Sequence, residues 1–509
     1  MSTEPFSPQK SPVKSSTLDK DLGKITMVTE ANMYVGKNLV GPGLAILFIC
    51  VAALYANSQI ENHANAVIII IAAALGGYMA INIGANDVAN NVGPAVGAKA
   101  LTLVGALVIA AIFESAGALI AGGDVVSTIS KGIIDPSLVP DSDTFIWAMM
   151  SALLAAALWL NLATFLGAPV STTHAIVGGV MGAGIASVGF NVVNWTTMGK
   201  IAASWVISPL LGGIIAAFFL AILKINVLSK DDKIAAARRW VPLLVALMAS
   251  AFSCYLVMKG LKKIWKPDIT VILGLGVLIF IATNAIMRPV IRKQSEGLEN
   301  RAQSLRVLFN VPLICSAALL SFAHGANDVA NAVGPLAAIL YSAESGGIAS
   351  KVDIPIWVMI IGMGGISLGL FMFGPRLIRM VGEQITKMNP MRAFCVSLSA
   401  ALTVIVASGL GLPVSSTHIA VGAVFGVGFF REYYSEKDKR KRKKLRALKA
   451  SEETPDQDFK KSSYFNFSKP RRLVRRSHFI TIILAWVITV PAAALLSALI
   501  YYGLRFIQP

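Results

Sequence analysis

The sequence predicts an all-α polytopic membrane protein made of two inverted repeats with broken helices. At roughly 20 residues per crossing, it has about 12–13 transmembrane segments. Three observations carry that expectation. Of 509 residues, 55% are apolar and only 14% charged, and mean hydropathy is +0.68. A soluble domain carries about 25% charged residues, so a soluble enzyme is excluded. Two polar motifs each occur twice, and equivalent loops in the two halves carry opposite charge character.

The first 33 residues are polar, with four lysines and four acidic side chains, and precede an apolar helix without a small-residue cleavage site. They read as a disordered cytoplasmic tail before a retained helix, with the N-terminus in the cytoplasm. The first half, 34–223, holds apolar blocks near 35–56, 63–96, 99–121, 145–166, 170–190 and 199–223. A linker region, 224–306, adds one or two spans from blocks 241–258 and 268–287. Its lysines Lys259, Lys262, Lys263 and Lys266 fall in a short loop assigned outside, since the flanking basic loops then both face the cytoplasm. The second half, 307–430, holds blocks 307–340, 355–375, 391–410 and 414–430. Residues 431–476 read as a basic cytoplasmic loop, with 17 basic and 7 acidic residues. Such charge suits an anionic lipid surface. No aromatic-basic platform accompanies it, so nucleic acid is not expected as a partner. Residues 477–509 read as an additional C-terminal transmembrane helix outside the repeats. Cys50, Cys254, Cys315 and Cys395 are isolated and form no C-x-x-C pair, so neither a disulfide scaffold nor a metal knuckle is indicated.

The internal repeat is the strongest signal. GANDVANNVGP from Gly84 to Pro94 recurs as GANDVANAVGP from Gly325 to Pro335, identical at ten of eleven positions. GAPVSTTHAIVGGVMGAG from Gly167 matches GLPVSSTHIAVGAVFGVG from Gly411 at eleven of eighteen. Asp87 precedes His174 by 87 residues, and Asp328 precedes His418 by 90. The loop at 131–144 carries Asp135, Asp141 and Asp143 against Lys131. Its counterpart at 376–392 carries Arg376, Arg379, Lys387 and Arg392 against Glu383. By the positive-inside rule these loops lie on opposite faces, which makes the repeat inverted.

The acids Asp87 and Asp328 lie within long apolar blocks, where an aspartate costs about 2.5–3.5 kcal/mol to insert. Amides flank both: Asn86, Asn90 and Asn91, then Asn327 and Asn331. Helical spacing sets Asn86 over Asn90 and Asn327 over Asn331, so their oxygens should converge on one face. Carboxylate and amide oxygens at a mid-membrane helix break suit a hard cation such as Na+. Glu114, 27 residues after Asp87, is a further intramembrane acid fit to complete a cation site or carry a proton.

The second motif supplies six hydroxyls: Ser171, Thr172 and Thr173, then Ser415, Ser416 and Thr417. Each group directly follows a Pro-Val pair, which suits a first helical turn whose free N–H groups and dipole favour an anion. Two such turns, brought together by inverted symmetry, would surround a small tetrahedral oxyanion with donors. Bound cations would offset the carboxylates, and cation and anion would raise each other's affinity by linkage. His174 and His418 admit three roles: ordering a hydroxyl, coupling protons, or packing as neutral rings. His324 has Ile83 in the matching place of the first half, so it reads as secondary.

These doubled segments resemble the signatures of the inorganic phosphate transporter family, the PiT-type permeases, over about 64–430. The resemblance implies Na+- or H+-coupled symport of inorganic phosphate by alternating access, without enzyme activity or an organic cofactor. It places phosphate at Ser171, Thr172, Thr173, Ser415, Ser416, Thr417, Asp87 and Asp328. It associates the coupling cation with Asn86, Asn90, Asn327, Asn331, the same two aspartates and Glu114. Around Ser397, where many relatives carry an acid, this chain reads Phe-Cys-Val-Ser-Leu-Ser. Alternative readings are transport of another tetrahedral oxyanion, arsenate or sulfate, or a passive anion channel. The expected setting is a cell membrane, the inner membrane in a Gram-negative cell, with lipid as a partner and a homodimer admitted.

Overall fold

The computed structural model describes residues 39–60, 65–168, 170–260, 267–347, 354–384, 388–453 and 476–507. The tail 1–33, the loop residues 261–266 and Lys387 lie outside the described residues. The chain divides into a first unit ending at Leu47 and a second, Phe48–Pro509, which holds every candidate site residue. Extended pairing among the described residues is limited to one isolated bridge, Ile134 with Val193.

Helix α1 is Leu39–Gln59. The remaining helices of the first half are α2 (Ala66–Asn86), α3 (Val88–Gly97), α4 (Leu103–Ala121), α5 (Gly123–Lys131), α6 (Ser142–Leu166), α7 (Thr172–Val188) and α8 (Trp195–Leu223). The linker region folds as α9 (Lys233–Gly260), α10 (Ile269–Gln294) and the single turn α11 (Leu305–Leu308). Then follow α12 (Asn310–Asp328), α13 (Ala330–Ser345), α14 (Ile356–Gln384), α15 (Pro390–Gly409), α16 (Ser416–Glu453) and α17 (Arg476–Ile507).

Local chemistry sets the boundaries that shape the site. Asp141 caps α6 by accepting the Thr144 N–H at 2.7 Å, and Asn389 caps α15 by accepting that of Arg392 at 3.0 Å. Pro390 begins α15, where its missing N–H costs nothing. Gly167 after α6 and Gly411 after α15 hold φ of 70° and 69°, a left-handed turn that reverses each chain into a helical hairpin. Each hairpin tip leads directly into a serine-threonine motif.

Eleven helices among the described residues are long and apolar enough to cross a membrane, fewer than the 12–13 expected. The difference lies at the second motif. Helix α7 has only 17 residues, and the apolar stretch of α16 is bounded by Ser416–His418 and Arg431. Both linker helices are full length, at 28 and 26 residues.

Three expectations are revised. The helix breaks are one residue deep. Asp87 keeps helical dihedrals (φ −93°, ψ −31°) between α2 and α3, as does Val329 (φ −57°, ψ −30°) between α12 and α13. The polarity of these segments therefore comes from side chains, since little backbone is freed. The basic segment does not begin as a loop, because α16 runs on to Glu453, and 454–475 lie outside the described residues. Finally, α17 is no appendage. It packs along α7, as α8 packs along α16.

The same exchange governs the acidic helices. Helix α2 packs along α14, and α12 packs along α4. These crossings are close. A Cβ on Gly84 would collide with the Ile366 carbonyl, and one on Gly325 with the Glu114 carbonyl. Small residues that admit such backbone approach are the usual device where lipid gives helices no hydrophobic drive to associate.

Candidate functional site

Both aspartates and all six hydroxyl residues are buried, none more than 2% exposed. One carboxylate oxygen each of Asp87 and Asp328 and a ring nitrogen of His324 lie within 4.8 Å of one another. The two acidic segments therefore meet in one buried centre, ringed by the first turns of α7 and α16.

Ser171 and Ser415 are the N-caps of those helices, each accepting the backbone N–H three residues on, from His174 (3.1 Å) and His418 (3.2 Å). The helices thus start two residues beyond the Pro-Val pairs. The next hydroxyls turn to the acids. Thr172 donates to Asp87 Oδ2 at 2.6 Å, and Ser416 donates to Asp328 Oδ2 at 3.0 Å. The third hydroxyls differ: Thr417 donates to Asp87 Oδ1 at 2.9 Å, whereas Thr173 donates to the Val414 carbonyl at 3.0 Å. Asp87 consequently accepts hydroxyl hydrogen bonds from both halves, while Asp328 accepts one.

The balance for Asp328 is supplied by His324. Its Nε2 lies 2.9 Å from Asp328 Oδ2 and its Nδ1 lies 3.0 Å from Glu114 Oε1. Glu114 Oε1 also accepts from Asn91 Nδ2 at 2.9 Å. Sequence reasoning set His324 aside because the first half carries Ile83 there. The available signal was its i, i+4 spacing to Asp328, which puts both on one helical face.

The amides do not stack as helical spacing suggested. Asn86 shares a hydrogen bond with Thr164 Oγ1 at 3.2 Å; with its oxygen turned to Thr164, its nitrogen reaches Asp87 Oδ1 (3.3 Å) and the Val170 carbonyl. Asn327 likewise donates to Ser408 Oγ at 2.9 Å. These two bind the hairpin tip of their own half. Asn90 donates across to Thr417 Oγ1 at 3.0 Å, and Asn331 across to Thr172 (3.2 Å) and Thr173 (3.3 Å). The pairs diverge because successive turns of each acidic helix face different motifs.

What remains is a set of buried oxygens that no donor among the described residues reaches: Oδ1 of Asn90, Asn91, Asn327, Asn331 and Asp328, and Oε2 of Glu114. Buried acceptors are nearly always satisfied, so such a group calls for a partner that accepts lone pairs. A hard cation is such a partner. Anion donors are also present, as first-turn backbone N–H groups and as hydroxyls able to swing from carboxylate to ligand.

The motif histidines pack as rings. His174 lies against Trp205 of α8 (centroids 3.8 Å apart), His418 stacks on Trp486 of α17 (3.6 Å), and the two imidazoles meet edge to face at 4.4 Å. Trp205 also donates to the Pro413 carbonyl at 3.2 Å. Neither tryptophan belongs to a motif. Their shared Trp-Val-Ile setting, at 205–207 and 486–488, was the available signal.

Residues 83–497 match the description "Phosphate transporter family". A Helicobacter pylori (strain J99) protein named "Putative phosphate permease" is 44% identical over 529 residues, covering 96% of this chain and 99% of its own. A Pyrococcus abyssi protein of similar name is 36% identical, covering 81% of this chain and 92% of its own. A solved structure described as "The sodium-dependent phosphate transporter" superposes with a TM-score of 0.75 at 36% identity, covering 87% of this chain and all of that one. With its doubled acidic and hydroxyl motifs gathered in one centre, and a family match over most of its length, the chain belongs to the phosphate transporter family.

Proposed function

We propose that the protein is a cation-coupled symporter of inorganic phosphate, with Na+, named in the description of the solved relative, as the coupling ion and H+ as the alternative. One observation carries this reading: two buried aspartates from opposite halves lie within 4.8 Å of each other and His324, among the hydroxyls of both motifs. Two adjacent carboxylates without cations would repel phosphate. Cations on the unsatisfied amide and carboxylate oxygens reverse that field, and the anion in turn holds the cations.

In this reading Ser171, Thr172, Thr173, Ser415, Ser416 and Thr417 present the phosphate donors. Asp87, Asp328, Asn86, Asn90, Asn327, Asn331 and Glu114 hold or tune the coupling cation. As cations take over the carboxylates, Thr172, Ser416 and Thr417 are freed to donate to phosphate. A protonated phosphate oxygen can donate to a carboxylate, which sulfate at neutral pH cannot do. The two hairpins then open the buried centre to opposite sides in turn.

We further read the halves as inverted repeats, the first 34–223 and the second from 307 onward, with 224–306 between them and the N-terminus cytoplasmic. Support comes from the reciprocal pairings α2 with α14 and α12 with α4, and α7 with α17 and α16 with α8. In this scheme α17 is the counterpart of α8, so the second half extends to 507. All site residues come from one chain, so a homodimer would carry two separate sites.

The test is uptake of labelled phosphate into proteoliposomes under an imposed Na+ or pH gradient, with arsenate and sulfate as competitors. Asp87→Asn and Asp328→Asn should each abolish accumulation against the phosphate gradient. Undiminished accumulation in both would refute the assignment of the acids, and sulfate competing as well as phosphate would refute the substrate.

A further inference from the structure

The tip of the second hairpin is held by side chains from five other helices. Between α15 and the Ser-Ser-Thr motif, the Gly411 carbonyl accepts from Thr128 of α5 (2.8 Å) and that of Leu412 from Asn327 of α12 (3.3 Å). The Pro413 and Val414 carbonyls accept from Trp205 of α8 and Thr173 of α7. Gly409, the last residue of α15, has a particular need. Its carbonyl would take its helical bond from residue 413, a proline without an N–H. Lys259 fills that place, donating to Gly409 at 2.9 Å, and the same ammonium pairs with Asp124 in the first turn of α5. Lys259, a loop residue on the sequence reading, belongs to the last turn of α9 in the linker region. At the first tip the residue matching Gly409 is Phe165, 76% exposed, so the two tips are not held alike.

We propose that Lys259 is a positioning residue for transport: with Asp124 it latches the second hairpin tip shut, and it must release Gly409 whenever the centre opens on that side. The inference rests on the symport reading, in which the hairpins move in turn. Lys259 touches none of the phosphate or cation residues. It acts through the chain, because Gly409 leads within seven residues to Ser416, the hydroxyl that donates to Asp328. The place of the ammonium is electrostatically apt, between the carbonyl end of α15 and an acid at the amide end of α5. Its accessibility suits a contact that opens and closes. The Lys259 side chain is 10% exposed and that of Asp124 29%, so water can take over both ions when they part. The linker region thereby gains a task in transport although it carries neither motif.

Hydrogen–deuterium exchange of the purified full-length protein reads the tip directly. In Lys259→Met and in Asp124→Asn, the amides of 405–412 should exchange on the order of tenfold faster than in wild type, because a hydrogen bond from a charged group is lost or loosened. Those of 160–167 should keep their rate. Lys259→Arg should retain most of the protection, and the exposed Lys230→Gln should match wild type. A second arm fastens the latch. Asp124→Cys/Lys259→Cys is joined by a short bis-methanethiosulfonate cross-linker, and phosphate uptake into proteoliposomes should stop, then return on reduction. The reagent should not change uptake by wild type, or by Asp124→Cys or Lys259→Cys alone, from its untreated level. A pair that only braces the fold would tolerate the cross-link. Unaltered exchange at the tip in both Lys259→Met and Asp124→Asn overturns the proposal, as does full uptake with the cross-link in place. Absence of phosphate uptake by wild type would instead refute the symport reading, and the exchange comparison then decides the latch.

Discussion

Replacing His324 and Glu114 together with isoleucine should do less harm than replacing either alone would suggest. The pair sits wholly inside the protein, His324 at 0% and Glu114 at 1% exposure, with Nδ1 and Oε1 3.0 Å apart. The place of His324 beside Gly325 is taken by Ile83 beside Gly84. The backbone carbonyl that meets Gly325 belongs to Glu114, and the one that meets Gly84 belongs to Ile366. The fold thus already accommodates two isoleucines in the matching setting. His324→Ile leaves the Glu114 carboxyl group with Asn91 as its donor, and a buried group that loses its partner costs about 1–3 kcal/mol, more if charged. Glu114→Ile strands one imidazole nitrogen, a cost of about 1–3 kcal/mol. In the double variant neither group is stranded, and Asp328 retains the Ser416 hydroxyl. The double loss should therefore fall short of the summed single losses by about 1–3 kcal/mol. Unfolding free energies from mixed-micelle titration of the four proteins supply the cycle. Additive losses, or a double variant worse than the sum, would refute the coupling read from the 3.0 Å contact between the two residues.

The third hydroxyls give a second contrast. Thr417→Val removes a donor from the Asp87 carboxylate and should cost about 1.5–3 kcal/mol in cation-free protein, while Thr173→Val removes a neutral bond to Val414 and should cost about 1 kcal/mol. Thermal unfolding in sodium-free buffer checks the order, and equal losses would contradict it. At the helix crossings, Gly325→Ala should force α12 from α4 at about 1–3 kcal/mol or more. Gly274→Ala on α10, which meets open space, should be neutral or stabilising by up to about 1 kcal/mol, and melting temperatures of the pair decide.

The doubling of both motifs, the membrane helices and the convergence of Asp87 with Asp328 were legible in the sequence. Repeated polar residues in an apolar chain can be satisfied only by one another. The partners of individual amides were not legible. Asn86 and Asn90 share a face on paper, yet one reaches a hairpin tip and the other the opposite half, because tertiary packing decides which neighbour stands before each turn. His324 reads as secondary in the sequence for a related reason. Comparing halves discards whatever is present once, and an asymmetric pair such as His324 with Glu114 is what an ancestral symmetry cannot reveal. The continuation of α16 through Arg431 was hidden by its composition, since lysine and arginine suit a solvated helix as well as a loop.

The crosswise pairing of helices also constrains biosynthesis. Helix α7 leaves the ribosome roughly three hundred residues before α17, and neither α2 nor α4 has its main neighbour until the second half is made. Until then the glycine-lined faces of the nascent first half rest on lipid or on the insertion machinery. A chain released before α17 would leave α7 without the helix that packs along it.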